Sequence, residues 1–189
     1  ENGNRPLEKL RPGDPDYFET ITVFNEDSLV RQVIHPNGNI TEYEYESDLN
    51  PEAKARTRGN LRTIRRLPGA HQPVGDQDQL EEHFEYDTDR AGCCGFNFVT
   101  KHTDPRGNVT SHLYDDRGNR TNTLHRLSRI VEDWQYNEFG QPTAHVLPDN
   151  GSGHRRRDEV HYHASGPQRG YVERRVVDAG SLALTTRYE

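Results

Sequence analysis

The sequence predicts an all-β fold, an array of short antiparallel β-hairpins forming one continuous twisted sheet. Three observations predict it. Short runs alternate in character with a period of two residues, as in Val109-Thr110-Ser111-His112-Leu113-Tyr114. Glycine turns separate those runs. A tyrosine followed four residues later by glycine recurs as a register mark: Tyr114-Asp115-Asp116-Arg117-Gly118-Asn119, Tyr136-Asn137-Glu138-Phe139-Gly140-Gln141 and Tyr162-His163-Ala164-Ser165-Gly166.

The marks Tyr45, Tyr86, Tyr114, Tyr136, Tyr162 and Tyr188 are spaced by 41, 28, 22, 26 and 26 residues. The shortest spacing is the bare unit. The longer ones carry insertions at about 46–57, 69–79 and 149–157, where turns tolerate extra chain while strands must keep register. Matching lead-ins stand upstream: His35-Pro36-Asn37-Gly38-Asn39-Ile40-Thr41 before Tyr45, and Asp104-Pro105-Arg106-Gly107-Asn108-Val109-Thr110 before Tyr114. Asp178 stands ten residues before Tyr188, as Asp104 does before Tyr114. Gly-Asn pairs at 3–4, 38–39, 59–60, 107–108 and 118–119 suit tight strand-to-strand turns, since both residue types accept positive φ. Pro36 and Pro105 start such turns without costing a ladder hydrogen bond.

Alternation places Val109, Ser111 and Leu113 on one face and Thr110, His112 and Tyr114 on the other. Two residues before each mark come Tyr43, Phe84, His112, Trp134, Val160 and Thr186, which predicts a stacked column of large side chains beside partly buried tyrosines. Helix is scarce. One turn is expected over 50–56, with Asn50 as cap and Pro51 in first position, and another over 76–83.

Composition agrees with a thin sheet. Only 30% of the 189 residues are hydrophobic and 29% are charged, low apolar content for a thick core. The regular spacing of β-formers nonetheless argues against disorder. Net charge is −7, which disfavours nucleic acid as a bulk partner. The basic runs at Arg56, Arg58, Arg62, Arg65, Arg66 and at His154-Arg155-Arg156-Arg157 read as solvated strand faces balanced by nearby carboxylates. No apolar stretch approaches the ~18 residues of a membrane span, and no signal peptide is visible. The chain has no Met, and its last residues, Tyr188-Glu189, read as the opening of another copy, so a segment of a longer chain is expected. Cys93-Cys94 form neither a disulfide framework nor a zinc pattern.

The candidate chemistry is sparse. His161 and His163 share a strand face near Asp158 and Glu159, but no third metal ligand is fixed by spacing. Asp76, Asp78 and Glu81 lack the remainder of a calcium loop. Glu81-Glu82 and Asp115-Asp116 are adjacent and point to opposite faces, unsuited to paired acid–base work. Asp115 and Asp116 instead suit turns that bond to backbone amides. No serine or cysteine sits in a nucleophile elbow. The expectation is no enzyme, no catalytic residue, no cofactor and no metal, and a single array over 1–189.

Residues 104–110, 114–119 and 136–141 resemble the tyrosine–aspartate repeats of the RHS/YD-repeat family. The resemblance is densest over 99–143, extends to 33–64 and 158–189, and leaves 1–20 and the insertions aside. The literal Tyr-Asp dipeptide stands only at Tyr86-Asp87 and Tyr114-Asp115. The family includes bacterial RHS toxins, shell components of insecticidal toxin complexes, and animal cell-surface teneurins. What the resemblance implies is a structural scaffold, secreted or at the cell surface, forming part of a spiral shell or a filament. Its partners would be neighbouring repeats, further copies of the chain, or an enclosed effector polypeptide. The alternative is a surface adhesion module contacting carbohydrate or protein through its loops. The Asp-Pro-x-Gly-Leu mark of the family's self-cleaving core is absent, because Gly107 is followed by Asn108.

Overall fold

A computed structural model of the chain describes residues 18–69, 78–87, 97–126 and 130–188. The fold is all-β and antiparallel, with thirteen strands among the described residues. Cys93-Cys94, Asp76 and Gly3-Asn4 lie outside those residues.

The chain divides into two compact units, 1–84 and 85–189. In the first, β1 (Ile21–Phe24), β2 (Val30–Ile34), β3 (Ile40–Tyr45) and β4 (Leu61–Leu67) pair in chain order, and β4 pairs with β5 (Leu80–Tyr86), whose last two residues belong to the second unit. In the second, β6 (Val99–Thr103), β7 (Val109–Tyr114), β8 (Arg120–Leu124), β9 (Val131–Tyr136), β10 (Pro142–Asp149), β11 (Arg155–Tyr162), β12 (Val172–Val177) and β13 (Leu184–Arg187) do the same. Short β-branched and aromatic runs meet their sequence neighbours through tight turns, so no crossover is needed.

Among the described residues no second layer covers the strands within either unit. Ala144 is the one buried hydrophobic residue among those described, and no large side chain is fully buried. Stability therefore rests on the hydrogen-bond ladder, half-buried cross-strand pairs and turns rather than on a packed core. Both β1 and β13 are exposed along their whole length, with Phe24 58% and Leu184 61% accessible.

Among the described residues helix is confined to one turn, α1 (Glu46–Leu49), not the expected 50–56. Tyr45 is its N-terminal cap, its N–H donating to Asp48 Oδ2 at 2.8 Å. Asn50 is the C-terminal cap, in extended conformation with its N–H on Glu46 O. The reason is Pro51, whose ring disfavours helical geometry in the residue before it, so the helix stops at Asn50. The second expected helix is also overturned: residues 80–83 belong to β5, where Leu80, Glu81 and Glu82 face Arg66, Arg65 and Ile64. Cross-strand pairing there outweighs a weak local propensity.

Candidate functional site: the tyrosine and turn array

The recurrent feature is a five-residue hairpin turn. In 25–29, 35–39, 104–108, 115–119 and 137–141, the N–H of the first residue bonds the carbonyl of the fifth, and the N–H of the fourth bonds the carbonyl of the first. The fourth residue takes positive φ: Gly38, Gly107, Gly118 and Gly140 at 76–87°, and Ser28 at 61°. This corrects the Gly-Asn expectation, because at 38–39, 107–108 and 118–119 only the glycine is left-handed and at Gly59-Asn60 neither residue is. Asn108 and Asn119 do another job: each donates its side-chain amide to the Asp that opens its turn, at 2.7 and 2.9 Å.

That aspartate holds the turn. Asp115 Oδ1 accepts the N–H groups of Arg117 and Asn119, both at 2.9 Å. Asp104 does the same for Arg106 and Asn108, and the neutral Asn137 for Phe139 and Gln141. The Asn108 amide, outweighing desolvation, holds the Asp104 carboxyl below its ordinary range. For Asp115, desolvation pushes upward but the Asn119 and Arg117 hydrogen bonds prevail, and the net shift is downward. The closure also recurs outside the five-residue turns: Asp87 and Phe98 exchange backbone and side-chain bonds, and His163 N–H reaches Tyr171 O.

The tyrosine does something alternation does not announce. Its hydroxyl donates to the carbonyl of the residue that opens the preceding strand: Tyr45 to Val30 (2.9 Å), Tyr114 to Val99 (2.8 Å), Tyr136 to Arg120 (2.9 Å) and Tyr162 to Pro142 (2.8 Å). Burial raises the phenol pKa of Tyr45, Tyr136 and Tyr162, which keeps each a donor. Pairing with the following strand slips by one residue at each of these tyrosines, a bulge that turns the ring toward its acceptor. A Tyr-Asp pair thus works in two directions: tyrosine ties back to the preceding strand, and aspartate closes the next turn. All four rings are half-buried, whereas Tyr188 is 45% exposed.

One copy escaped the sequence reading. Phe24-Asn25-Glu26-Asp27-Ser28-Leu29 makes the same turn, with Asn25 Oδ1 accepting from Asp27 and Leu29 and the same slip at Phe24. Phenylalanine replaces the tyrosine and serine the glycine, which hid it. The spacing to Tyr45, 21 residues, is the signal that would have found it.

Consecutive turns of the second unit also touch. A Cβ on Gly118 would lie 2.6 Å from Phe98 Cζ, one on Gly140 would lie 3.5 Å from Asn119 Oδ1, and Gln141 Nε2 donates to Gly170 O at 2.7 Å. The expected column of large side chains is not continuous. His112 and Trp134 lie two strands apart, and their contacts run to the strands beside them: His112 Nδ1 meets Thr123 Oγ1 at 2.9 Å, and Trp134 stacks on His145 at 4.8 Å. Repeats two strands long necessarily interpose a strand.

The remaining candidates resolve into pairing. Arg58 meets Asp27, Arg62 Glu46, Arg65 Glu44 and Glu81, and Arg66 Glu82. Arg155, Arg156 and Arg157 meet Asp133, Asp158 and Glu159. His161 shares Glu159 with Arg157, and Glu132 bridges His125 and His145 at 3.1 and 3.0 Å. Among the described residues no three His, Cys, Asp or Glu side chains converge on a metal position, and no helix is long and apolar enough to cross a membrane.

No protein-family model matches the chain, and no curated protein matches it either. Solved structures align with the chain at low identity. A crystal structure of TcdB2-TccC3 without its hypervariable C-terminal region aligns over 90% of this chain at 15% identity, with a TM-score of 0.49. A chain of the Photorhabdus luminescens Tc holotoxin pore aligns over 90% at 14% identity, with a TM-score of 0.27. This chain spans 11% of the length of each.

Proposed function

We propose that this segment is a mechanical wall element, a run of YD-type repeats in a secreted or cell-surface β-sheet assembly that builds a hollow shell or a fibre. The observation that carries the reading is the tie of four marker tyrosines, Tyr45, Tyr114, Tyr136 and Tyr162, to the preceding strand, with almost nothing buried among the described residues. Such ties hold successive strands to one another and leave both faces free to line a cavity or meet a neighbour. Polar groups that a catalytic centre would gather are here spent pairwise along the strands. The segment carries out no turnover in this reading, and its partners are adjoining repeats, further copies, or a polypeptide lying against the sheet.

Sedimentation of the purified chain tests it. Exposed edge strands predict association that Arg187→Pro in β13 weakens, since its N–H points away from β12 and proline removes that edge donor. A well-folded monomer at all concentrations contradicts the reading, as does any hydrolytic or transfer activity abolished by one His or Asp substitution that leaves folding intact.

A further inference from the structure

Several arginines inside the ladders are met by acids. Arg65 in β4 stands in register between Glu42 in β3 and Glu81 in β5, and bonds Glu81 at 2.9 Å and Glu44 at 3.3 Å. Arg155, Arg156 and Arg157 in β11 each have a carboxylate as well. The last strands of the second unit depart from this pattern. His161, Arg174 and Arg187 lie opposite one another in β11, β12 and β13, a row of a histidine and two arginines. Tyr188 N–H donates to Glu173 O, so the neighbouring pair Arg174–Arg187 is of the non-hydrogen-bonded kind, in which side chains stand closest. Like charges placed in this way are destabilising.

His161 shares Glu159 with Arg157, and neither Arg174 nor Arg187 forms an ion pair among the described residues. Arg174 Nε is shielded from solvent without a hydrogen-bond partner, while Arg187 is exposed. A shielded guanidinium donor without an acceptor is costly, and a carboxylate is its strongest acceptor. The row stops at β13, which pairs only with β12 among the described residues and turns the Arg187 N–H outward.

We propose that the free edge of β13 takes an extended segment of another polypeptide, one that carries a glutamate or aspartate opposite Arg187. Such a segment would add as a further strand and supply the acid that this row lacks, reproducing the setting of Arg65. Its reach to Arg174 has a precedent, since Arg155 in β11 meets Asp133 in β9 across the intervening β10. A second β13 is a poor occupant, because it brings the same cations. Leu184, on the opposite face and 61% exposed, adds a preference for an apolar residue there. The proposal rests on the wall reading for an edge that pairs, and adds the chemistry of the strand that pairs with it.

NMR titration of the isotope-labelled 189-residue chain with the peptide Ac-Thr-Val-Glu-Val-Glu-Val-Thr-NH2, and with the same peptide carrying Gln or Lys for Glu, tests the proposal. The expected result is saturable shifts at the Thr185 and Arg187 amides with the Glu peptide. Its affinity should exceed that of the Gln peptide by about tenfold at low salt, and the gap should narrow as salt is added. Arg187→Glu, at an exposed position, should invert the order so that the Lys peptide binds best. Equal affinities for the three peptides overturn the proposal while leaving edge pairing, and the wall reading, in place. Absence of binding by all three overturns it too, as does an order unchanged in Arg187→Glu; the wall reading is then judged by sedimentation alone.

Discussion

Gly118 and Gly107 occupy the same position of the same turn and differ in one respect, their neighbours. Gly118 has φ +87° and Gly107 φ +76°, so alanine at either is strained by about 1–2 kcal/mol. That strain is offset by about 0.4–1 kcal/mol through a less flexible unfolded chain. Gly107→Ala should therefore cost about 1 kcal/mol, because nothing lies within 4 Å of its new methyl. At Gly118 the methyl would lie 2.6, 3.2 and 3.4 Å from three atoms of the Phe98 ring. Phe98 cannot withdraw freely, being packed on Tyr114 with centroids 4.9 Å apart. Overpacking of this kind adds about 1–3 kcal/mol, for a total of about 2–4 kcal/mol. Urea unfolding of both variants gives the comparison, and amide exchange at Arg117 and Asn119 localises it, since repeat arrays open locally. In a Phe98→Ala background the excess at Gly118 should vanish. Equal losses for Gly118→Ala and Gly107→Ala would refute the claim that adjacent turns are in contact.

The hydroxyl tie predicts that Tyr114→Phe costs about 0.5–1.5 kcal/mol, read by urea unfolding. Because the ring is half-buried rather than in a core, Tyr114→Ala should cost about 2–3 kcal/mol, less than a core aromatic. Asp115 titrates below its ordinary value in the folded chain, so its contribution is intact above the unfolded pKa of about 4 and is lost as pH falls through the lower folded value. Acid should thus lower amide protection, measured against the intrinsic exchange rate at each pH, in the turns 104–108 and 115–119 while leaving 137–141, held by the neutral Asn137, little changed. Arg155 donates to Leu147 O, Val131 O and Val146 O as well as to Asp133. Arg155→Lys, unable to fork across two strands, should cost about 1–3 kcal/mol and open the β9–β10 ladder in hydrogen exchange.

Much of the architecture was legible in the residues, and the reason is periodicity. Strands β3, β7, β9 and β11 each end on the tyrosine used as register mark, and the glycines at 38, 107, 118 and 140 fall in turns. What escaped were features set by partners across the sheet. The hydroxyl acceptor of Tyr114 lies 15 residues away, on Val99, and no local pattern marks a carbonyl. The run 76–83 suits a helical turn by local propensity, yet its residues 80–83 pair with β4 as strand. The Phe24 copy was hidden because its two signature residues are both replaced, while the turn survives on Asn25 alone. Phe139 was read only as part of a repeat. It is 64% exposed, and Arg169 reaches it from a loop thirty residues further on.

The backward tie of the tyrosines fixes the step by which such a chain can lengthen or shorten during evolution. Tyrosine-ending strands alternate with plain ones, as β7, β9 and β11 do with β8 and β10, so every tie lies at the same end of its unit. Removing a single strand would reverse the direction of everything downstream and carry each later hydroxyl to the opposite end, away from its carbonyl. Removing two restores the match. Viable duplications and deletions should therefore come in hairpin pairs, while a lone extra residue is absorbed in turns such as 149–155 or 163–171.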